Sequence, residues 1–443
     1  MAIYNYEEAF GAWDQTSRAM RQAIGDWFRL YYGTAKAEDR EPCQRIAYTV
    51  VSKLVRTVFG EYQASSDDAF VQEVLHELNI VARQALELSL VGGECYLKPC
   101  PGKAGFSFTL IPRSNVLIFG RDAAGNVTDI GTVERSTAGK YYYTLLERRS
   151  VDNAGYLTIE NKLFRSQNSH NLGALVPLAV HPEYASLPDC YCYEQPMHSV
   201  GLIRVKTPML NCVDGSSDGV SVYAPAVELI ACIDENEAQL RGEFRRGQSR
   251  IFASRDLLRD DGSGSLDLTD HLFVGLDDEP EQVGITVFSP QLRHTAYLER
   301  KQEYLRNVES IIGLKRGMLS DANMDDRTAT EISSSAGDYN LTVMDFQGMW
   351  ERAVRETVVL CCALARMYRI GMPSECPTVS IDWGNGILYD EDKAWEDYQK
   401  MVEAGLLKPE IALGWRFNMP ADTEQEQQAI RSRFMPPKGE VAS

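Results

Sequence analysis

Of 443 residues, 45 are Lys or Arg and 63 are Asp or Glu, a formal net charge of −18. Tight binding to nucleic acid needs a positive face that displaces counterions from phosphates, and an average surface this acidic repels a polyanion, so any role on DNA must be touching without holding. With 44% hydrophobic and 24% charged residues, the composition is that of a folded protein of two or three domains, which excludes disorder over most of the chain.

No basic segment followed by an apolar stretch opens the sequence, and the most apolar run, Val358 to Ala365, is short and flanked by Arg355-Glu356 and Arg366. Neither a secretion signal nor a membrane span is expected. Ten cysteines are too sparse for a disulfide framework and suit a reducing cytoplasm.

Residues 4 to 32 mix aromatics and charges at near-helical spacing up to Gly33 and predict one or two short helices. Ile46, Val50, Leu54 and Val58 lie four apart, and Val71, Val74, Leu75, Leu78, Val81 and Ala82 three or four apart, so amphipathic helices are expected over 41–59 and 68–91. From Gly92-Gly93 the period changes to two. Short strands follow at Cys95–Lys98, Phe106–Ile111, Val116–Phe119, Val127–Val133, Tyr141–Leu146 and Tyr156–Phe164, with Asp122-Ala-Ala-Gly125-Asn as a turn, the pattern of an antiparallel meander.

Residues 166–199 read as a loop-rich connector. It holds His181, Cys190, Cys192 and His198, four ligand-type residues that raise a metal site, but their Cys-x-Cys spacing departs from the Cys-x2-Cys of a zinc knuckle. A helix from Ala224 to Arg246 has a narrow apolar stripe (Val227, Ile230, Ile233, Leu240, Phe244) among many charges. A second, His294 to Ile312, carries two seams one heptad in step, Tyr297/Tyr304/Ile311 and Leu298/Leu305/Ile312. That pattern suits packing against partners along its length, about 28 Å at ~1.5 Å per residue, and equally an ordinary core helix.

Between these helices, 251–293 reads as a compact α/β insert with a flexible Asp260–Ser265 turn and strand-like pieces at Leu272–Val274 and Gly284–Phe288. A loop, Leu314 to Arg327, leads to Thr328-Ala-Thr-Glu331, a capping box in which Thr328 accepts from an early amide while Glu331 reaches back. A helical pattern of about forty residues follows, weakened at Gly337 and Gly348. Val379 to Trp383 reads as a returning strand. Helices are then expected at Asp390–Ala404, at Pro409–Trp415 and after the capping box Thr423-Glu-Gln-Glu426, with the last eight residues disordered.

Catalytic signatures are lacking. Ala138-Gly139-Lys140 has no upstream glycine and is followed by Tyr141, so it is no phosphate loop. Gly262-Ser-Gly264 lacks a third glycine, and neither Gly-x-Ser-x-Gly nor His-Glu-x-x-His occurs. The pairs Asp67-Asp68, Asp260-Asp261, Asp277-Asp278 and Asp325-Asp326 leave open a metal-dependent nuclease or hydrolase, but three of them sit in loops, where solvated turn residues are the commoner reading. No cofactor is expected.

Several stretches, in order, resemble one family. Ala85-Leu-Glu-Leu-Ser-Leu-Val-Gly-Gly-Glu-Cys-Tyr-Leu-Lys98, Pro112 to Gly125, Gly219-Val-Ser-Val-Tyr-Ala-Pro-Ala226, Glu243-Phe-Arg-Arg-Gly-Gln-Ser-Arg-Ile-Phe252 and, most specifically, Gly313-Leu-Lys-Arg-Gly-Met-Leu-Ser-Asp321 with Arg327-Thr-Ala-Thr-Glu-Ile332 are similar to portal proteins of long-tailed (siphovirus-type) bacteriophages. The resemblance runs from about residue 40 to about residue 420.

It implies an α+β portal fold and a ring of twelve copies at one capsid vertex of the virion, assembled in the host cytoplasm without contact to membrane. The ring's central channel passes double-stranded DNA during packaging and ejection. The implied partners are the terminase large subunit, the head-to-tail adaptor, and the major capsid and scaffolding proteins; the family itself hydrolyses nothing. By position, 1–223 with 329–385 would be the wing, 224–250 and 294–312 the stem helices, 251–293 the clip, 313–328 the tunnel loop and 386–443 the crown.

The resemblance further implies that Lys315, Arg316, Met318, Asn323 and Met324 of the tunnel loop meet DNA and that the seams Tyr297/Tyr304/Ile311 and Leu298/Leu305/Ile312 meet neighbouring subunits. Replacing Leu305 with Asp is expected to leave soluble, unassembled monomers. Arg241, Arg245, Arg246 and Arg250 form a stem-to-clip collar that faces either DNA or acids of the adjoining subunit; bridges between subunits are the expected use, since Glu235, Glu237 and Glu243 are available in the same helix. Another ring-forming head or tail protein, such as an adaptor, is the alternative within the structural class.

Overall fold

The computed structural model describes residues 6–33, 43–102, 105–247, 250–254, 273–276, 286–288, 291–321, 329–374, 377–384, 391–417, 419–421 and 423–435. Among these are ten α-helices: α1 (Tyr6–Phe10), α2 (Arg18–Tyr32), α3 (Ile46–Val58), α4 (Ala69–Gly92), α5 (Val227–Arg246), α6 (His294–Ile312), α7 (Ala329–Tyr368), α8 (Glu391–Glu403), α9 (Pro409–Arg416) and α10 (Glu424–Phe434). Fourteen strands accompany them: β1 (Gln63–Ser65), β2 (Glu94–Pro101), β3 (Phe106–Pro112), β4 (Val116–Arg121), β5 (Val127–Ala138), β6 (Tyr141–Val151), β7 (Leu157–Ser166), β8 (Ala174–Val176), β9 (Cys190–Cys192), β10 (Ile203–Lys206), β11 (Arg250–Ser254), β12 (Phe273–Leu276), β13 (Thr286–Phe288) and β14 (Ser380–Asp382). The fold is α+β, as expected. The chain forms two compact units, residues 1–56 with 66–379, and residues 57–65 with 380–443.

In the first unit α4 is the central helix, packed on β2, β3, β10, α2 and α7. Asp68 caps its start, its carboxylate accepting from the Phe70 and Val71 amides at 2.9 and 3.1 Å. The same side chain takes the Ser374 amide at 2.6 Å. Asp67 accepts from the Thr378 hydroxyl at 3.3 Å, so this acidic pair serves local structure. The apolar stripe of α4 broadens until Ser89 to Gly92 are buried all round.

The meander is present but divided. Strands β4 to β8 form one antiparallel sheet in sequence order, with β9 added to β7, whereas β2 and β3 belong to a separate sheet ordered β10-β2-β3. The division falls at a 3-10 turn, Arg113–Asn115, that breaks the chain between β3 and β4. Two hairpin turns share one chemistry. Asp122 accepts from the Ala124 and Asn126 amides and Asp152 from the Ala154 and Tyr156 amides, each at 2.8 to 2.9 Å, with Gly125 and Gly155 at φ of 83° and 89°. Residues 166–199, read as connector, contribute β8 and β9. Three-residue edge strands are too short to show a period of two and take their order from β7.

Within the segment expected to be an α/β insert, the described residues form a small sheet in which β11 runs parallel to β12 and antiparallel to β13. Its turn at 260–265 and the acidic pairs Asp260-Asp261, Asp277-Asp278 and Asp325-Asp326 lie outside the described residues, as do Thr328 of the first capping box and the tail after 435. The forty-residue helix is present as α7.

In the second unit β1 pairs with β14, Gln63 opposite Asp382, and Tyr62 lies against Trp383 with ring centroids 4.7 Å apart. Helices α8 to α10 pack through Tyr398 on Trp415 at 4.8 Å and Phe417 on Phe434 at 4.5 Å. The Thr423/Glu426 capping box has both its hydrogen bonds.

Candidate functional site

The helix pair α5 and α6, with the loop that follows α6, carries most of the residues singled out from sequence. Its placement begins at a joint upstream of α5. Gly93 ends α4 at φ 81°, and Gly219 faces it so closely that a Cβ on Gly93 would lie 2.2 Å from the Gly219 carbonyl oxygen. Only glycine fits at either position.

Segment 219–223 then satisfies a carbonyl that the end of α4 leaves open: the Val222 amide and the Ser221 hydroxyl both donate to Leu90 O, at 2.9 and 3.0 Å. Thr207 ties the same place together, its hydroxyl donating to Val220 O at 2.7 Å and its amide to Gly93 O at 3.0 Å. Tyr223 donates to Trp27 O at 2.9 Å, so α5 leaves from a buried foundation. Two stretches that carried the family resemblance, around Gly93 and around Gly219, are thus neighbours in space.

Beneath the joint lies a buried charge cluster. The Glu94 carboxylate is fully enclosed and accepts from Arg204, from the Gly219 amide and from Tyr96 OH at 2.9 Å. Arg113, also buried, stands 3.8 Å from Glu94 and 3.5 Å from Asp218, and donates to Val116 O at 2.9 Å and Thr16 Oγ1 at 2.8 Å; Arg121 also donates to Asp218. Burial by itself pushes the Glu94 carboxyl up. The Arg204 and Arg113 guanidiniums and the hydrogen bonds from Arg204 and Gly219 outweigh it and hold the group at about 2. Glu147 is alike: burial is outweighed by Arg149 and Lys98, which hold it at about 2.

Helices α5 and α6 pack together and are pinned at several levels. Asn236 donates to Tyr297 O at 3.0 Å, Lys301 reaches Gln44 Oε1 at 3.0 Å and Glu237 at 3.4 Å, and Arg293 forms a two-point bridge to Glu243 at 3.1 and 3.0 Å. Ile230, Ile233 and Asn236 are the buried residues of α5, while Phe244, part of its apolar stripe, is 49% exposed.

On α6 the two seams differ. Leu305 and Ile312 are 5% and 3% exposed, buried with Val308 in their own chain, while Leu298, earlier on the same seam, is 49% exposed. On the other seam Tyr297 and Tyr304 are half-buried and Ile311 is exposed; Tyr304 OH accepts from Arg300 at 2.8 Å. An Asp at position 305 therefore removes core packing before it can report on assembly, which changes the expected outcome of that substitution.

Helix α6 ends at Gly313, φ 77°, and the chain from Leu314 to Asp321 folds back on its last turns. Glu309, buried in its last turn, accepts from the Gly317 amide at 3.1 Å, the Leu319 amide, the Ser320 amide at 2.9 Å and the Ser320 hydroxyl at 2.8 Å. Gln302 accepts from the Asp321 amide at 2.8 Å, and Lys53 of α3 donates to Met318 O. Lys315 and Arg316 are exposed on this segment, and Met318 is partly buried.

Asn323 and Met324 lie outside the described residues, as do the side chains of Arg250 and Glu331. Arg241, Arg245 and Arg246 are exposed at the end of α5. Glu309, Gln302 and Lys53, which anchor the loop, were missed in the sequence; the available signal was an acidic residue in the last turn of a helix, where the dipole disfavours it.

The four ligand-type residues at 181–198 do not form a cluster. His181 is buried between the rings of Tyr143 and Tyr184, at 4.8 and 4.6 Å, whereas Cys190 and Cys192 are exposed on β9. Among the described residues no group of three His, Cys, Asp or Glu is placed to hold a metal.

Two solved structures share the fold at a TM-score of 0.50: the neck of a native GTA particle computed with C12 symmetry (12% identity) and the neck of an empty GTA particle computed with C6 symmetry (11%). Each match covers 94% of this chain and 98% of the other. No curated protein matches the sequence. A family model described as phage portal protein, SPP1 Gp6-like, matches residues 121–433, more than two thirds of the chain, and includes α5, α6 and the loop after it. The chain belongs to the SPP1 Gp6-like phage portal protein family.

Proposed function

We propose that the protein is one subunit of a closed ring of twelve copies at a single capsid vertex. Double-stranded DNA passes through the ring's channel during packaging and ejection, and the outer end of the ring docks first the terminase and then the head-to-tail adaptor. Family membership supports the portal role, and the C12 symmetry of one similar neck structure supports the copy number. The observation that carries the assembly is the state of the α5/α6 pair. Phe244, Leu298 and Ile311 are large apolar side chains left about half exposed on a helix pair otherwise rich in charge. A cyclic ring uses a heterologous interface, so unlike faces of the pair must each find a partner on the next copy.

In this reading 224–250 and 294–312 form the stem, 251–293 the clip, 1–223 with 329–385 the wing and 386–443 the crown. Lys315 and Arg316 face the lumen, and Arg241, Arg245 and Arg246 form a collar of positive charge at the stem-to-clip end. Corresponding residues of a ring lie at one height. The basic end of each α5 therefore sits beside the basic end of its neighbour, which favours an acidic partner or DNA over bridges to Glu235 of the next copy. The subunit supplies walls and docking surfaces, and the motor supplies hydrolysis.

Negative-stain microscopy with native mass measurement tests the assembly: rings of about twelve copies with a central hole are expected, and a monomer that binds a divalent metal and turns over a substrate overturns it. Rings carrying Lys315→Ala and Arg316→Ala should package DNA less efficiently or to a shorter length; unchanged packaging removes the lumen assignment.

A further inference from the structure

The loop after α6 is held by a device out of place by the usual electrostatics of helices. An acidic side chain in the last turn of a helix faces the negative end of the dipole, and a carboxylate removed from water is costly unless it is fully hydrogen-bonded. Glu309 has both handicaps, being buried in the last turn of α6. Among the described residues its carboxylate is satisfied by the loop itself, through the Gly317, Leu319 and Ser320 amides and the Ser320 hydroxyl, while its own backbone carbonyl accepts from the Gly313 and Leu314 amides, the second at 2.8 Å. From the opposite side Lys53 donates to Met318 O. The two exposed basic residues, Lys315 and Arg316, lie in the arch between Gly313 and Gly317, both of which have positive φ, 77° and 91°.

We infer that Glu309 is a positioning residue: its buried carboxylate clamps the backbone of 314–320 so that Lys315 and Arg316 are presented as a fixed pair of charges rather than as the tip of a free loop. Several amides directed at one carboxylate determine the path of the intervening chain, because moving the arch means abandoning hydrogen bonds to a charge that has no water to replace them. A pair of cations held in this way meets a phosphate without first losing the conformational freedom of a free loop. The positioning role rests on the assignment of Lys315 and Arg316 to the lumen; the clamp itself does not.

The test uses assembled full-length rings. Glu309→Gln keeps size and shape but puts an amide group among N–H donors. Amide hydrogen exchange at Gly317, Leu319 and Ser320 should accelerate about tenfold or more, as expected for losing charged hydrogen bonds, while exchange in α7 stays unchanged. Ser320→Ala, which removes one donor and leaves the charge, should give a smaller acceleration at the same amides and stands in for Glu309→Gln if that variant does not assemble. Unchanged exchange in the assembled variant overturns the clamp.

Packaged DNA length is then compared in four rings: unaltered, Glu309→Gln, Lys315→Ala/Arg316→Ala, and all three changes together. If Glu309 acts through the basic pair, the triple variant packages no worse than the double one. A further loss in the triple variant, or normal packaging by Glu309→Gln where the double variant is impaired, overturns positioning while leaving the lumen assignment standing. Normal packaging by the double variant removes the lumen assignment and the positioning role together, and exchange alone then decides the clamp.

Discussion

Glu94 shows how one residue can couple a fold to pH. Its enclosed carboxylate is held at about 2 against an ordinary 4.5, so it binds its proton less readily folded than unfolded. The stabilisation is therefore fully present above about pH 4.5 and is lost as pH falls through the folded value near 2. Glu94→Gln should cost about 3 kcal/mol at pH 7, because it takes the carboxylate from partly buried Arg204 and leaves buried Arg113 with Asp218 as its remaining counter-charge. Chemical denaturation at a series of pH values checks this: the variant's deficit should shrink steadily between pH 4.5 and pH 2. A deficit that persists undiminished at pH 2 would assign the loss to packing. Glu147 contributes an acid dependence of the same sign, so the variant should retain part of the acid limb. None of this was legible in the sequence. Gly92-Gly93-Glu94 reads only as a helix giving way to a strand, since the residues that neutralise Glu94 come from 113, 204 and 219.

At the scale of elements, one seam of α6 makes opposite predictions for two leucines seven residues apart. Leu305→Asp places a charge among buried Val308 and Ile312 and should destabilise the subunit by about 3 to 5 kcal/mol, read as a lowered melting temperature and poor soluble yield. Leu298→Asp alters a half-exposed site, where the cost to the fold should be under about 0.5 kcal/mol, yet it should abolish ring formation in size-exclusion light scattering. A normal ring from Leu298→Asp would remove that position from the interface. Periodicity placed α4, α5, α6 and α7 to within a few residues because a helix carries its own pattern. It could not divide the seam Leu298/Leu305/Ile312 into an exposed start and a buried end, since that depends on what the rest of the chain packs against α6. Strands β8, β9 and β10 were missed for a related reason. Each is three or four residues long and borrows its order from β7 or β2, as β1 borrows from β14. The exposure of Lys315 and Arg316 was legible; the hydrogen bonds that fix the backbone under them were not, because loop amides leave no trace in a sequence.

At the scale of the whole molecule the net charge of −18 sets the terms on which a ring can meet DNA. If contacts are limited to the basic pair after α6 and the collar of Arg241, Arg245 and Arg246, the acidic excess of every subunit opposes them, and isolated rings should bind double-stranded DNA weakly at 50 mM salt or above. Fluorescence anisotropy over a salt series measures this. Tight binding with a steep slope would mean a positive surface that the sequence does not suggest. The joint between Gly93 and Gly219 bears on how such a subunit is made. Its two halves are more than a hundred residues apart in the chain, so in a nascent polypeptide the end of α4 lacks the 219–223 segment that packs on it until synthesis has passed Tyr223. At roughly 5–20 residues per second that interval lasts several seconds to half a minute. Production of the protein is therefore exposed to aggregation while the ribosome is between these two glycines, and slowing translation over that stretch should lower the yield of soluble subunits.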